Sequence, residues 1–329
     1  MICRVWFSCS FPTFILNLVY GYYENDTLIF IHNDKKVSAK AYELTSNIFS
    51  RNTGILETSQ MLDKSVIISG CGSVGSLVAL ELARSGVGSF LLIDNDIFEY
   101  HNICRHQCGV SDVGKYKVDA LKQRILDINP TAKVVTQSKI LENVSKNIFE
   151  DFCTPNSIII GCADNRAGDL YANNKISYGF NIPFVSIGFW ERAFAGEIFY
   201  SLPHQTACYN CHFEDVKQDE DSRVNAKHRF YVDELELEEA SFEPGISIDI
   251  NFVTTIGIKL IIDILNKDDE QYIPKVIDHL TQYTLICNTN DTRVGGDRAD
   301  IFSYPLQVTT SLEINKRVDC KICSKDKNV

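Results

Sequence analysis

Short, mostly apolar runs alternate with longer segments of helical period between residues 65 and 188. Ser65-Val-Ile-Ile-Ser69, Ser89-Phe-Leu-Leu-Ile-Asp94, Ala132 to Gln137, Ser157 to Gly161 and Ile182 to Gly188 are rich in aliphatic residues and too short for helices. Such runs predict strands buried on both faces. A helix is predicted from the glycine-rich turn at 70–75 through about Ser85, with Gly86-Val-Gly88 as its C-cap. A second is predicted from Lys115 to Asp127, stopping before Asn129-Pro130. Strands interleaved with helices in this order predict an α/β fold with a doubly wound, mostly parallel sheet.

The two ends of the chain follow other patterns. Phe14 to Tyr22 and Thr27 to His32 read as strands around a Glu24-Asn25-Asp26 turn, a hairpin, and Ala39 to Phe49 as a short helix. These elements make a small N-terminal unit, residues 1–60, ahead of a main domain, residues 61–329. So short a unit buries little core alone and is expected to pack on the rest or on a partner chain. Its strand edge would also suit a clamp that adds an extended peptide as a further strand. From Glu214 to Glu243, eleven acidic residues face four Lys and Arg, after which Pro244-Gly245 leads into a long apolar helix, Ile246 to Leu265. The acidic stretch reads as a solvated segment or as a loop crossing a substrate channel.

Composition narrows the classes. The 329 residues carry a net charge of −11, which argues against nucleic acid or anionic lipid as a partner. The longest apolar stretch, Val5 to Tyr23, is broken by Ser8, Ser10, Pro12, Asn17 and Gly21, so no membrane span or signal peptide is expected and the cytoplasm is the default. Of twelve cysteines, four form two knuckles, Cys208-Tyr-Asn-Cys211 and Cys320-Lys-Ile-Cys323. Two knuckles far apart in the chain predict one structural Zn²⁺ site, because a two-residue spacer lets both thiolates curl around a tetrahedral ion.

Candidate chemistry gathers after the strands. Gly70-Cys-Gly72-Ser73-Val-Gly75 joins a predicted strand to a predicted helix, the context in which glycines let backbone N–H groups approach a phosphate. Asp94, ending the next strand, is placed to accept hydrogen bonds from ribose hydroxyls. To this point a nicotinamide-dependent oxidoreductase and an ATP-using enzyme fit alike. Asp96, Asn102 and Arg105 then follow, with Lys115 and Lys117 opening a helix and Asp164-Asn165 ending a later strand. Cations beside carboxylates are what a triphosphate with Mg²⁺ requires, whereas a nicotinamide cofactor has little use for them.

In this order the motifs resemble the ThiF/MoeB adenylyltransferases, relatives of the ubiquitin-activating enzymes, over residues 45 to 323. Ile68 to Gly75, Leu92 to Asp96, Val113 to Lys117 and Ala207 to Cys211 look most like the MccB-type peptide-adenylating members. The resemblance implies a Rossmann-like fold and a homodimer. The reaction implied is adenylation of a C-terminal carboxylate by ATP–Mg²⁺, on a ubiquitin-like or sulfur-carrier protein or a ribosomal peptide. Residue by residue it implies that Gly70, Gly72, Ser73 and Gly75 cradle phosphates, Asp94 holds the ribose, and Asn102 and Arg105 contact phosphates. Asp96 and Asn165 would belong to the same nucleotide site, Lys117 would steady charge at the α-phosphate, and Asp164 would bind Mg²⁺. Ser50-Arg51-Asn52 resembles the segment that sends an arginine, here Arg51, into the partner's site.

Two departures stand out. His106 occupies the place where a Gln commonly follows the Arg, and no cysteine lies between Cys211 and Cys287 to serve as a thioester nucleophile in the crossover segment 214–243. The second favours adenylation alone. A non-catalytic scaffold half of a heterodimeric enzyme is a further reading, but it should lack some of Asp94, Arg105, Lys117 and Asp164, and all are present.

Overall fold

A computed structural model describes residues 19–24, 27–37, 44–213, 245–288 and 309–323. The acidic stretch 214–243 and the segment Phe14 to Leu18 of the first predicted strand lie outside the described residues. By contact density the chain divides into two compact units, Met1–Leu44 and Thr45–Val329.

The first unit contains a three-stranded antiparallel sheet, β1 (Val19–Glu24), β2 (Thr27–His32) and β3 (Lys35–Val37). The predicted hairpin is present, with Val19 opposite His32 and Glu24 opposite Thr27. Asn33 and Asp34 turn the chain into β3, an unforeseen strand, with φ of 47° and 56°. Asn and Asp tolerate that left-handed conformation better than other side chains do.

The second unit is built on β4 (Ser65–Ser69), β5 (Ser89–Ile93), β6 (Lys133–Gln137), β7 (Ser157–Gly161), β8 (Phe184–Phe189), β9 (Ala195–Ser201), β10 (Tyr283–Cys287) and β11 (Thr309–Leu312). They form one sheet in the order β11-β10-β9-β8-β7-β4-β5-β6. From β8 to β6 every pairing is parallel, as predicted, and β9, β10 and β11 add antiparallel strands beyond it. The helices, in chain order, are α1 (Leu44–Ile48), α2 (Thr58–Leu62), α3 (Ser73–Arg84), α4 (Lys117–Ile128), α5 (Lys146–Phe152), α6 (Arg166–Tyr171), α7 (Tyr178–Phe180), α8 (Tyr209–Phe213) and α9 (Ser247–Leu265).

Side-chain alternation explains the two-sided core. On β4, Val66 and Ile68 pack with α3, α4 and α9, while Ile67 packs with α5 and α8 on the opposite face; β5 and β7 alternate in the same way. Both faces are covered, so the central positions of these strands are all apolar and buried. α4 begins two residues later than its sequence pattern suggests. Ile97 bridges Tyr116, and Lys115 donates its N–H to the Asp112 carbonyl at 3.1 Å, which holds Lys115 in a turn.

The chain runs β4 to β5 to β6 on one side, then crosses to β7 on the other, so the order reverses between β4 and β7. At such a reversal the loops beyond the strand carboxyl ends part and leave a crevice where ligands bind. Gly70 and Ala163, directly after β4 and β7, meet there.

Candidate nucleotide site and cysteine centre

The loop after β4 approaches its neighbours too closely for side chains. Gly70 has φ of +92°, and a Cβ there would lie 2.5 Å from the Ala163 nitrogen; a Cβ on Gly75 would lie 1.9 Å from the Gly70 carbonyl oxygen. These two glycines let α3 start tight against the loop. Gly72 differs: a Cβ there would meet nothing within 4 Å. It is the N-cap of α3 without a side-chain cap, and the first helical bond is Ser76 N–H to the Gly72 carbonyl at 2.9 Å. The N–H groups of Ser73, Val74 and Gly75 therefore have no partner within the helix, and together with the helix dipole they favour an anion.

Asp94 braces this loop. Its Oδ2 accepts from Cys71 N–H at 2.6 Å and its Oδ1 from Asp96 N–H at 2.8 Å. Burial raises its pKa and outweighs these hydrogen bonds. A carboxylate offers about four lone-pair positions, so two remain for hydroxyl donors. His106 braces the same loop from the other side. Its Nδ1 accepts from Cys108 N–H at 3.0 Å, which fixes the proton on Nε2, and Nε2 donates to the Cys71 carbonyl at 2.8 Å. Burial pushes the imidazole down to about 4, so it is neutral. The side chain that departs from the family pattern thus has a loop-holding role.

Lys117, first residue of α4, donates to Asp96 Oδ2 at 2.7 Å, its side chain 12% exposed against 57% for Asp96. Lys115 instead pairs with buried Asp112 at 2.9 Å. Burial opposes ionisation of Asp112, but hydrogen bonds from Lys115, Arg124 and Gly109 N–H hold it down to about 2. Of the two lysines only Lys117 lines the crevice. Asn102 Oδ1 accepts from Glu99 N–H at 2.9 Å, so any phosphate contact falls to Nδ2. Arg105 lines the crevice beside Gly245.

Asp164 has φ of +51°, and its Oδ1 accepts from Phe189 N–H at 3.3 Å. Asn165 Oδ1 accepts from Ala167 and Gly168 N–H and so caps α6. Two adjoining cavities meet at Gly72, Lys117, Cys162 and Ala163. One, of about 380 Å³, holds Asp94, Asp96, Asn165 and Lys139 to Leu141; the other, of about 240 Å³, holds Ser73, Asn102, Arg105 and Asp164 with an apolar wall including Phe189, Trp190 and Ile250. The residues expected at a nucleotide site are thus together, apart from Arg51. The exposed turn carrying Arg51 sits at the far end of α3, where Asn52 Nδ2 donates to the Arg84 carbonyl at 2.9 Å. Twelve helical residues separate the two ends, about 18 Å. Sequence reasoning missed Trp190, Lys139 to Leu141 and the structural His106. The signal for Trp190 was its place just past a predicted strand's carboxyl end.

The two cysteine knuckles converge. Cys208 and Cys320 Sγ are 3.4 Å apart, Cys211 and Cys323 3.4 Å, Cys208 and Cys211 3.8 Å, and all four lie within 4.8 Å of one another. Zn–S bonds of about 2.3 Å give a tetrahedron with edges of about 3.8 Å, so the cluster has the dimensions of a Cys₄ metal centre. Arg317 N–H donates to Cys211 Sγ at 3.4 Å, the kind of outer contact that orients a thiolate ligand.

Fold and site define a doubly wound α/β protein with a glycine-rich loop and an uncapped helix N-terminus at the carboxyl edge of its sheet. Within that class the chain belongs to the ThiF family, whose pattern matches residues 44–292. It is similar to ubiquitin-like modifier-activating enzyme 5 of Aedes aegypti, 29% identical over 194 residues, 54% of this chain and 48% of the relative. The chain thus spans about half the length of the curated relatives it matches. Its fold is similar to that of E. coli MccB with MccA-N7isoASN, TM-score 0.60 at 20% identity, covering 85% of this chain and 74% of that one. E. coli MccB with ATP gives TM-score 0.57 at 21% identity, covering 81% and 69%. Among the described residues no helix is long and apolar enough to cross a membrane.

Proposed function

We propose that the protein adenylates the C-terminal carboxylate of a small protein or peptide, using ATP and releasing pyrophosphate. The observation that carries this reading is the crevice at the β4–β7 reversal, where the uncapped α3 N-terminus, Asp94, Arg105, Lys117 and Asp164 converge. The larger cavity suits the nucleoside, with Asp94 accepting from the ribose. The phosphates extend over Gly72 and Ser73 toward Asn102, Arg105 and Lys117. A substrate carboxylate oxygen attacks the α-phosphorus, an acyl–phosphate bond forms, and the bond to the bridging oxygen breaks with its electron pair leaving on pyrophosphate. No proton transfer is needed, so the residues act by positioning and by electrostatics. Lys117 moves from Asp96 to the α-phosphate, and Arg105 with the α3 N–H groups balances the leaving charge. Asp164, an exposed carboxylate at the crevice, fits a hard cation, and Mg²⁺ held there would neutralise phosphate charge.

The Cys₄ cluster is assigned to Zn²⁺ as a structural tie between the chain's middle and its end. Gly245 lines the crevice beside Arg105. The N-terminal unit, 1–60, is assigned as a peptide clamp and dimer arm, with Arg51 entering the partner's site in a homodimer. Cys104 is an exposed free thiol, which suits the reducing cytoplasm. The test uses no protein substrate: thermal stability is followed with Mg²⁺-ATP and separately with NADH. A ligand at 100 times its dissociation constant adds about 2.7 kcal/mol. A shift of several degrees with Mg²⁺-ATP alone supports the reading, and a shift with NADH alone overturns it in favour of an oxidoreductase.

A further inference from the structure

Behind the crevice, a buried charge pair joins three parts of the molecule. Arg166 follows Asp164-Asn165 and opens α6; its Nη1 lies 2.8 Å from Glu197 Oε1 on β9, with Glu197 1% exposed. Glu197 Oε2 accepts from Trp190 Nε1 at 3.2 Å and from Tyr283 OH at 2.7 Å. Trp190 belongs to the apolar wall of the smaller cavity and neighbours Phe189, whose N–H holds Asp164. Arg166 also donates to Tyr209 OH at 3.0 Å and stacks on the Phe213 ring at 3.9 Å. Tyr209 lies between the two cysteines of the first knuckle, and its hydroxyl donates to buried Asp169 at 3.2 Å.

A charge buried this deeply is costly unless it is paired and hydrogen-bonded. Apolar packing would close the sheet at lower cost, so a stability role alone does not account for the pair. What the pair joins does. One end adjoins the turn that presents Asp164 with left-handed backbone, and the other holds the indole that lines the same cavity.

We propose that Arg166 and Glu197 are positioning residues that set the Asp164 carboxylate and the Trp190 wall in register for metal-bound ATP. The proposal rests on the adenylation reading, in which Asp164 is the acid nearest the metal. It makes a specific demand: the pair matters for ATP carrying Mg²⁺ and little for ATP alone, which the glycine loop and Asp94 hold.

The chain has two tryptophans, Trp6 and Trp190, so in a Trp6→Phe background the fluorescence reports on Trp190. Titrations with ATP, with and without added Mg²⁺, give two dissociation constants, and their ratio is the readout. Glu197→Gln should raise the constant for Mg²⁺-ATP at least ten-fold while that for ATP alone stays within two-fold, at unchanged zinc content. Should Glu197→Gln fail to fold, the double variant Arg166→Met/Glu197→Gln removes both charges together and should show the same collapse of the ratio. Equal weakening of both constants, or none, overturns the positioning role. If wild-type protein gives no response to either form of ATP, the adenylation reading falls first and this proposal with it.

Discussion

His106 Nε2 donates to the Cys71 carbonyl at 2.8 Å, while the ring packs against Phe98 with centroids 4.8 Å apart. Cys71 follows Gly70, so a side chain more than thirty residues away fixes the course of the glycine-rich loop. The bond needs a neutral ring with its proton on Nε2. A protonated ring would lose the bond that Cys108 N–H makes to Nδ1, and it would be buried as a cation.

That geometry makes loop stability depend on pH with a definite sign. Burial depresses the folded pKa of His106 from 6.5 to about 4, so between these values the unfolded chain binds more protons than the folded one. The contribution is complete above pH 6.5 and is lost as pH falls toward 4, on the order of 3 kcal/mol when fully developed. Asp112, held down to about 2, loses its own contribution only below this window. Urea unfolding at pH 7 and 4.5 checks the prediction: His106→Gln should lose less stability over that interval than wild type does. An equal loss in both proteins would rule His106 out as the source.

The glycines of the loop separate folding from binding. Gly75→Ala places a methyl group 1.9 Å from the Gly70 carbonyl oxygen, and backbone cannot yield there without moving α3. A marked loss of stability is expected, in the range of several kcal/mol typical of overpacked cores. Gly72→Ala meets nothing within 4 Å and its φ of −78° is not left-handed, though ψ of −148° lies past the extended range, so the melting temperature should fall by no more than a few degrees. Its methyl group would stand where a phosphate approaches, and Mg²⁺-ATP should then no longer shift the melting temperature. A normal ATP shift in Gly72→Ala would mean that phosphate lies elsewhere.

How much of this was legible in the sequence follows from burial. Strands β4, β5 and β7 are apolar at their central positions because both faces are covered, and the motif after β4 is local, so both could be read directly. Strand β9 is as buried, but Glu197 interrupts its run and hides the strand; the compensating Arg166 lies far away in sequence. The Trp190 wall was only partly legible, from its place past a predicted strand. It depends on a tight turn with Arg192 and Ala193 both at φ 55°, a conformation neither residue type signals. Gly245 was legible as part of a Pro-Gly turn, but its place beside Arg105 is purely tertiary.

Removal of the metal should loosen the protein at a defined place. The centre ties Cys208 and Cys211, flanking Tyr209, to Cys320 and Cys323 near the chain's end. About one zinc per chain is expected from elemental analysis of purified protein. Chelation or Cys320→Ser should lower the melting temperature by several degrees, since binding at a structural centre contributes directly to folding. A metal-free preparation of unchanged stability would dismiss the assignment.

Arg51 sits about one α3 length from the crevice of its own chain, at the opposite end of that helix. A role in catalysis therefore requires a second chain, and mixing variants tests it. Lys117→Ala removes the cation beside Asp96 and should lower ATP–pyrophosphate exchange by about 10²–10³-fold, the loss typical of one electrostatic donor, with the fold intact. Arg51→Ala should be similarly impaired if its guanidinium completes the partner's site. In a hybrid dimer one of the two sites then combines an intact Lys117 with an intact Arg51 from the other chain. Equal mixing with full exchange makes half of all dimers hybrid, each with one working site, so about a quarter of wild-type activity should return. No recovery, with hybrids demonstrated by differently tagged chains, would confine the site to a single chain and remove Arg51 from it.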